Sequence, residues 1–437
     1  MIRILAVGAL VVAAGVMAVA QVTQGRPNAG FAPAFAEQTR APALPQTQVT
    51  VAVFADGLDS PWGIAPLGAG QFIVTEKPGA LRVINADGTV SGPLPGLPEV
   101  AAQGQGGLLD VAVSPRFAQD RTVFWTYAKP VRGGLVTAAA RGVLASDGSL
   151  SEVRDIFVQG DPARNGRHFG SRIIPMADGT VWITTGDRGA GDSGTLVQDV
   201  NSTHGKVIRI NADGTVPGNN PFVGRDGDDQ IWSLGHRNMQ GAAMGPGGLW
   251  TIEHGPRGGD ELNQPKAGLN YGWPVVSYGI NYRGSDVGSG QARAAGIEGP
   301  VYYWDPVLAP GGMMFYDGPY ADWQGDLLIA SLNPGGLVRL KMQNGRVVGE
   351  ERMLTDVGRI RDVEVLDDGA VLVLLDAGEI LRVTPGYTAI LRAAANEIRR
   401  LDFSSHRSRL AHLMLWPMVI RLTSTSSLWS RSTSVSR

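Results

Sequence analysis

From about Val49 to Thr384 the chain alternates between short apolar runs and Gly or Asp-Gly turns, with almost no helical periodicity. Phe72-Ile73-Val74-Thr75, Leu81-Arg82-Val83-Ile84, Thr122-Val123-Phe124-Trp125-Thr126-Tyr127 and Val181-Trp182-Ile183-Thr184-Thr185 are representative. β-Branched and aromatic side chains pack well on a pleated surface, so these runs predict strands. Asp-Gly at 87–88, 147–148, 178–179, 213–214 and 368–369 falls between them, where a tight hairpin needs residues that accept positive φ. The hexapeptide Asn85-Ala86-Asp87-Gly88-Thr89-Val90 recurs letter for letter at 211–216, which predicts equivalent turns of one repeated unit.

Trp62-Gly63-Ile64-Ala65, Leu109-Asp110-Val111-Ala112-Val113 and Arg361-Asp362-Val363-Glu364-Val365 read as a second recurring phrase, each followed by a turn and another strand. Strand–turn–strand units at this density predict an all-β fold, a β-propeller rather than a sandwich or solenoid. Roughly 335 residues at about 50 per blade allow six or seven blades, and the pattern alone does not choose.

The ends differ from this body. Arg3 precedes an apolar run from Ile4 to Ala20 that closes on Ala18-Val19-Ala20, so residues 1–20 read as a cleaved signal peptide. The competing reading is an uncleaved anchor, and about 17 residues is marginal for a span. Cleavage implies a periplasmic or secreted protein without stable membrane insertion. Residues 21–48 are rich in Ala, Pro and Gln and are expected to be a flexible leader. Residues 387–437 form an atypical tail: eight Arg and ten Ser stand against only Glu397 and Asp402, and no glycine follows Gly386. This tail is expected to be poorly ordered.

Composition narrows the chemistry. Net charge is −2, so nothing global points to nucleic acid. With no cysteine there are no disulfides and no thiolate metal sites. The six histidines include no i, i+4 pair of a helical zinc site, and no G-x-S-x-G elbow occurs. Four polar loops interrupt the strand pattern: 103–110 (QGQGGLLD), 164–172 (RNGRHFGSR), 234–241 (LGHRNMQG) and 253–263 (EHGPRGGDELN). Each alone has a bland account as a Gly-rich or capped turn. Together they predict one shared site on a propeller face.

GQGGLLDVAVSP, HFGSRI, GHRN-x-QG, EHGPRGGDELN, LNYGWP and GRIRDV occur in the order seen in the glucose/sorbosone dehydrogenase family. Over about 48–386 the chain resembles the soluble branch of that family, aldose sugar dehydrogenases that use pyrroloquinoline quinone (PQQ). The resemblance implies a six-bladed β-propeller of four-stranded antiparallel sheets over 49–386. It implies oxidation of an aldose sugar at C1 to the lactone, with PQQ and Ca²⁺ as cofactors and a periplasmic electron acceptor.

Residue by residue, His168 matches the general base, which suits a neutral imidazole. Arg237 matches the arginine beside the quinone C5 carbonyl that receives hydride, and Gln105 a residue that touches substrate and cofactor. Asn238, His254, Arg359 and Arg361 match cofactor-binding positions. Gly255 and Pro256 match the carbonyls that bind Ca²⁺, and Glu261 with Tyr271 suggests a second calcium. Two positions depart from the family: Arg167 precedes the base where relatives often carry His or an acid, and Asn333 stands where some present a Lys. Two alternatives remain, a calcium-dependent propeller hydrolase of lactonase type and a non-enzymatic carbohydrate-binding propeller. The first needs an acidic cluster around the channel, and the second has no need of His168 together with Arg237, Arg359 and Arg361.

Overall fold

The apolar runs pair as six antiparallel sheets in a computed structural model that describes residues 21–189 and 194–386. The segments 1–20 and 387–437, expected as signal peptide and basic tail, lie outside the described residues. The first strands of the sheets are Pro61–Gly68, Leu108–Val113, Gly170–Pro175, Met239–Gly245, Pro310–Phe315 and Ile360–Val365. Each neighbours the next and the last neighbours the first, so six blades form a closed ring.

Closure uses both ends of the domain. Val49–Ala55 pairs antiparallel with Ile380–Pro385, Val49 opposite Pro385 and Val53 opposite Leu381, so the earliest strand completes blade 6. Blades 2 to 6 have four strands. Blade 1 has three, Pro61–Gly68, Gln71–Glu76 and Ala80–Ile84. The chain beyond runs beside the third of them, bridging Ile84 to Val90 and donating Ser91 N–H to the Val83 carbonyl (2.8 Å) and Leu94 N–H to the Leu81 carbonyl (2.9 Å).

The repeated hexapeptide folds the same way twice. In each copy the Asn amide donates to the Thr carbonyl (2.9 and 2.8 Å), Gly donates back to Asn (2.9 Å in both), and Asp caps the Thr N–H. Gly88 and Gly214 take φ of 86° and 92°, the left-handed region a side chain resists. Both copies follow the third strand of a blade.

Every blade is sandwiched between two others, so its strands are apolar on both faces. Val371–Leu375 is buried at all five positions, which explains continuous apolar runs in place of strict alternation. Between blades 4 and 5, Trp250, Tyr302 and Trp304 pack on Leu327, Ile329 and Val338, all essentially without exposure.

All six first strands meet at one buried guanidinium. Arg172 of blade 3 donates to Asp110 of blade 2 (2.8 Å), Asp362 of blade 6 (3.0 Å) and the Gln240 carbonyl of blade 4 (2.6 Å). It lies over the Trp62 ring of blade 1 at 4.3 Å. Blade 5 contributes absence of a side chain: a Cβ on Gly312 would fall 1.7 Å from an Asp362 carboxylate oxygen.

Residues 21–48 correct the expectation of a flexible leader. Gln21 bridges to Pro42, Ala41 is wholly buried in the blade 4–5 core, and Gln38 is 1% exposed. Ala43 bridges to Glu350 at the outer strand of blade 5, with Leu44 N–H donating to the Glu350 carbonyl at 2.9 Å. A Pro-rich composition indicates lack of regular structure, yet Gln and Ala side chains here find buried partners on the finished blades.

Candidate active site

Four polar loops reach one face because each enters a first strand, or leaves a second strand, at the same end of its blade. Residues 103–107 lead into Leu108–Val113, 164–169 into Gly170–Pro175, and 235–238 into Met239–Gly245. Residues 254–259 follow Gly248–Glu253. A cavity of about 450 Å³ opens there, lined among others by Gln105, Arg167, His168, Asp187, Arg237 and Pro256. That volume suits a cofactor-sized ligand, for which roughly 300–1,000 Å³ is usual.

His168 sits at φ +48°, a left-handed conformation held by its surroundings. Its N–H donates to the Gln105 side-chain oxygen (2.8 Å), and Gln105 N–H donates to the Gly166 carbonyl (2.7 Å). The two loops thus clasp each other. Behind them the turn at Gly186 passes so close that a Cβ would stand 2.0 Å from the His168 carbonyl oxygen. Arg188, with its guanidinium 3.4 Å from the centre of the Phe169 ring, donates to the Arg167 carbonyl at 2.6 Å and fixes the loop from beneath.

The imidazole Nδ1 lies 2.6 Å from Asp187 Oδ1, and the Trp273 indole N–H donates to Asp187 Oδ2 at 2.8 Å. Burial holds the His168 pKa below the ordinary histidine value, Asp187 opposes that shift, and the positive charges of Arg237 and Arg167 reinforce it. Burial is the largest influence on Asp187 and raises its pKa, but the hydrogen bond and charge of His168, the charge of Arg237 and the Gly189 N–H together outweigh it and hold the pKa below the usual range. Sequence reading missed Asp187 and Trp273. Asp187 lies in Gly186-Asp187-Arg188, which reads as an ordinary turn, and its pairing with His168 is a consequence of the strand returning across the blade. Arg167 supplies no acceptor to the imidazole beside it in sequence, and the group on Nδ1 is Asp187.

Arg237 donates to the His254 and Gly255 carbonyls (3.0 and 2.7 Å) and faces the Trp273 ring, while its buried Nε has no partner among the described residues. Asn238 accepts the Gly170 N–H at 3.1 Å, which ties the Arg237 loop to the His168 loop. His254 Nε2 donates to the Pro310 carbonyl (2.7 Å). Burial, with Arg237 and other cations nearby, pushes its pKa down to about 3, so it is a neutral donor.

Arg359 and Arg361 converge on Asp376, with Nε to oxygen distances of 2.7 and 2.9 Å. Arg361 also donates to the Gln240 side chain (2.9 Å), and Arg359 to the carbonyl of Leu332, beside Asn333 (3.2 Å). Neither arginine lines the 450 Å³ cavity. Asp376 follows the second strand of blade 6 and was not legible as part of the site.

Gly255, Glu261 and Tyr271 line a separate small cavity of about 20 Å³, whose walls include Arg237 and Trp273 of the main site. That is room for one water or ion. Glu261 is half-buried beside Glu253, and desolvation followed by that neighbouring charge raises its pKa well above the carboxylate range. A buried carboxylate (Glu253) and a half-buried one (Glu261) around an ion-sized space, with carbonyls of the neighbouring loop, are a donor set that suits a hard cation. The Tyr271 hydroxyl donates to the Gln264 carbonyl at 2.7 Å, which leaves its backbone carbonyl for such a role. Among the described residues no group of three or more His, Asp or Glu side chains is arranged to hold a metal, so backbone oxygens would have to contribute.

The family profile of Glucose / Sorbosone dehydrogenase matches residues 58–382. The chain is 40% identical over 354 residues to aldose sugar dehydrogenase YliI of Escherichia coli (strain K12), covering 78% of this chain and 94% of that protein. The solved apo-form of soluble aldose sugar dehydrogenase from Escherichia coli superposes with a TM-score of 0.74 at 39% identity, over 78% of this chain and all of the other. The PQQ-bound form of the aldose sugar dehydrogenase from Streptomyces coelicolor gives a TM-score of 0.63 at 28% identity, over 78% of this chain and 99% of that one.

Proposed function

Because the chain belongs to the glucose/sorbosone dehydrogenase family and is an oxidoreductase, we propose that it oxidises aldose sugars at C1 with PQQ and Ca²⁺ bound beside His168. The observation that carries this reading is the His168–Asp187 pair opening onto a cavity shared with Arg237 and Pro256. A relative of known structure binds PQQ. When bound, the quinone would supply the two-electron acceptor for the hydride that leaves C1.

The residues account for the proton. With Nδ1–H directed at Asp187, His168 is held as the tautomer whose Nε2 accepts, and Nε2 takes the C1 hydroxyl proton as the lactone carbonyl forms. Asp187 stabilises the imidazolium that results. Burial, reinforced by Arg237 and Arg167, keeps the base neutral beforehand, and Arg237 offers a fixed positive charge at the wall where anionic character develops. Gln105 holds the His168 backbone and borders the sugar.

Arg359, Arg361, Asn238 and His254 would hold the cofactor, the two arginines against its carboxylates. Gly255 and Pro256 carbonyls would bind one Ca²⁺, and Glu261 with the Tyr271 carbonyl a second. The apolar run Ile4–Ala20 supports export, with electrons passed to a periplasmic acceptor. Among the described residues no helix is long and apolar enough to cross a membrane.

Reconstitution of the purified chain with PQQ and Ca²⁺, followed by dye reduction with a panel of aldoses, tests the proposal. Turnover with at least one aldose and bleaching of the quinone absorbance are expected. No turnover with any sugar and no absorbance change would sink it.

A further inference from the structure

Residues 21–44, which precede the family-matched span, fold as a strap rather than a tail. Val22 N–H donates to the Ala41 carbonyl at 3.0 Å, so the segment returns on itself and its two ends meet. One anchor is Glu350, buried on the outer strand of blade 5. It accepts the Gln24 amide (3.1 Å) and the Tyr302 hydroxyl (2.7 Å), so it joins the strap to blade 4 as well. A second anchor is Gln38, which donates to the Pro300 carbonyl at 2.8 Å while its own carbonyl accepts Tyr303 N–H at 2.9 Å.

The third anchor reaches the active-site loop. Asp305, 4% exposed, accepts three successive backbone N–H groups of the strap, from Asn28 (2.7 Å), Ala29 (2.9 Å) and Gly30 (3.2 Å). The same carboxylate lies against Gly258, where a Cβ would fall 2.4 Å from Asp305 Oδ1. Arg257 Nε donates to the Asn28 side chain at 3.1 Å. Residues 257 and 258 immediately follow Gly255 and Pro256. Asp260 fastens the ends of this loop, accepting Gly255 N–H at 2.8 Å and Leu308 and Ala309 N–H at 2.6 Å each. Its middle is held by a two-way backbone bridge between Arg257 and Ile280 (3.0 and 3.1 Å) and by Gly259 N–H on the Trp304 carbonyl (2.8 Å). The strap braces it from outside through Asn28 on Arg257 and Asp305 against Gly258.

We propose that residues 21–44 are a clamp that holds the Gly255–Pro256 loop in its cation-binding shape, with Asp305 and Asn28 as the positioning residues. Backbone carbonyls bind a cation more tightly when they are already in place, because no ordering entropy is then subtracted from the binding free energy. The inference deepens the calcium reading above and rests on it.

The test compares the full chain with Asp305→Ala and Asn28→Ala by amide hydrogen exchange and by calorimetric titration with Ca²⁺ alone. Asp305→Ala is expected to speed exchange in 22–41 and also in 254–260, leave Val371–Leu375 protected, and weaken Ca²⁺ binding about 10-fold or more, the usual scale for losing a group that orients a metal ligand. Asn28→Ala removes the exposed contact to Arg257 and the side-chain bond to the Pro306 carbonyl (3.2 Å) but keeps the Asn28 N–H on Asp305. It should show the same pattern at smaller size, and it decides the matter if Asp305→Ala does not fold. A strap that loosens while exchange at 254–260 and Ca²⁺ affinity keep their wild-type values overturns the clamp. Wild-type protein that takes up no Ca²⁺ overturns the calcium reading instead, and exchange at 254–260 still decides the clamp.

Discussion

Asp187 Oδ1 stands 2.6 Å from His168 Nδ1, and Asp187 is itself fixed by Trp273 from the other side. An aspartate so placed sets the tautomer of the imidazole as well as its angle. Asp187→Asn would present an amide that can rotate to donate to Nδ1, leaving the proton on the nitrogen that must accept. The variant should fold and bind cofactor normally while kcat falls about 10²- to 10⁴-fold. His168→Ala should fall at least as far. Steady-state rates with quinone absorbance as the binding control would check both, and an Asp187→Asn enzyme with unimpaired kcat would place the base elsewhere.

The acidity of His168 makes a second claim. Its pKa is held below the ordinary histidine value chiefly by burial, then by Arg237 and Arg167 against Asp187. The base therefore stays neutral on acidification through the range where a free histidine would protonate. The acidic limb of kcat should lie below about pH 6.5, the unperturbed histidine value. Arg167→Ala removes one of the cations, so its limb should move to higher pH while the alkaline plateau stays level. A limb that does not move would mean that Arg167 is too well solvated to be felt.

Most of the fold could be read from the chain, and the reason is repetition. Asn85–Val90 and Asn211–Val216 announce equivalent turns because Asp, Gly and Thr act through local hydrogen bonds that need no tertiary context. The loops carrying His168, Arg237 and Gly255 were legible because glycine and charged residues interrupt apolar strands. Asp187 and Asp376 were not, since each is a lone acid after a second strand and gains its partner only when the blade is folded. The strap was misread for the opposite reason. Its Gln and Pro content resembles a linker, and only the outer strands of blades 4 and 5 supply the partners that bury Gln38 and Ala41.

Arg359 and Arg361 share Asp376 but differ in burial, their side chains being 53% and 12% exposed. Charge interactions weaken with solvent screening, so the two should not contribute equally to holding an anionic cofactor. Arg361→Ala also strands the Gln240 side chain and should weaken PQQ binding about 10-fold or more. Arg359→Ala should change it only about 2- to 5-fold, as expected for an exposed pair. Titration of apo protein with PQQ, followed by quinone absorbance, separates the two. Equal losses would argue that the cofactor shields Arg359 from water.

Arg172 is where the ring of blades and the site come together, because it binds Asp110, Asp362 and the carbonyl of Gln240, whose side chain holds Arg361. Arg172→Met keeps much of the volume but leaves two carboxylates buried without their cation. That costs about 3–5 kcal/mol at neutral pH, enough to lower Tm by several degrees. The penalty has a pH dependence whose sign is fixed. Burial already raises Asp110 from its ordinary 3.8 to about 6, although Arg172 opposes the shift, and Asp362 is raised for the same reason. Loss of Arg172 moves both higher still, so the folded variant binds more protons than the unfolded chain across that window. Its stability therefore declines as pH rises through it. The deficit against wild type should be smaller at pH 5 than at pH 8 in thermal melts. Adding Asp110→Asn and Asp362→Asn to Arg172→Met should recover part of the loss, since neutral amides are less costly to bury than unpaired charges. A deficit that grows toward pH 5 would mean the carboxylates remain ionised there and are compensated by something other than Arg172.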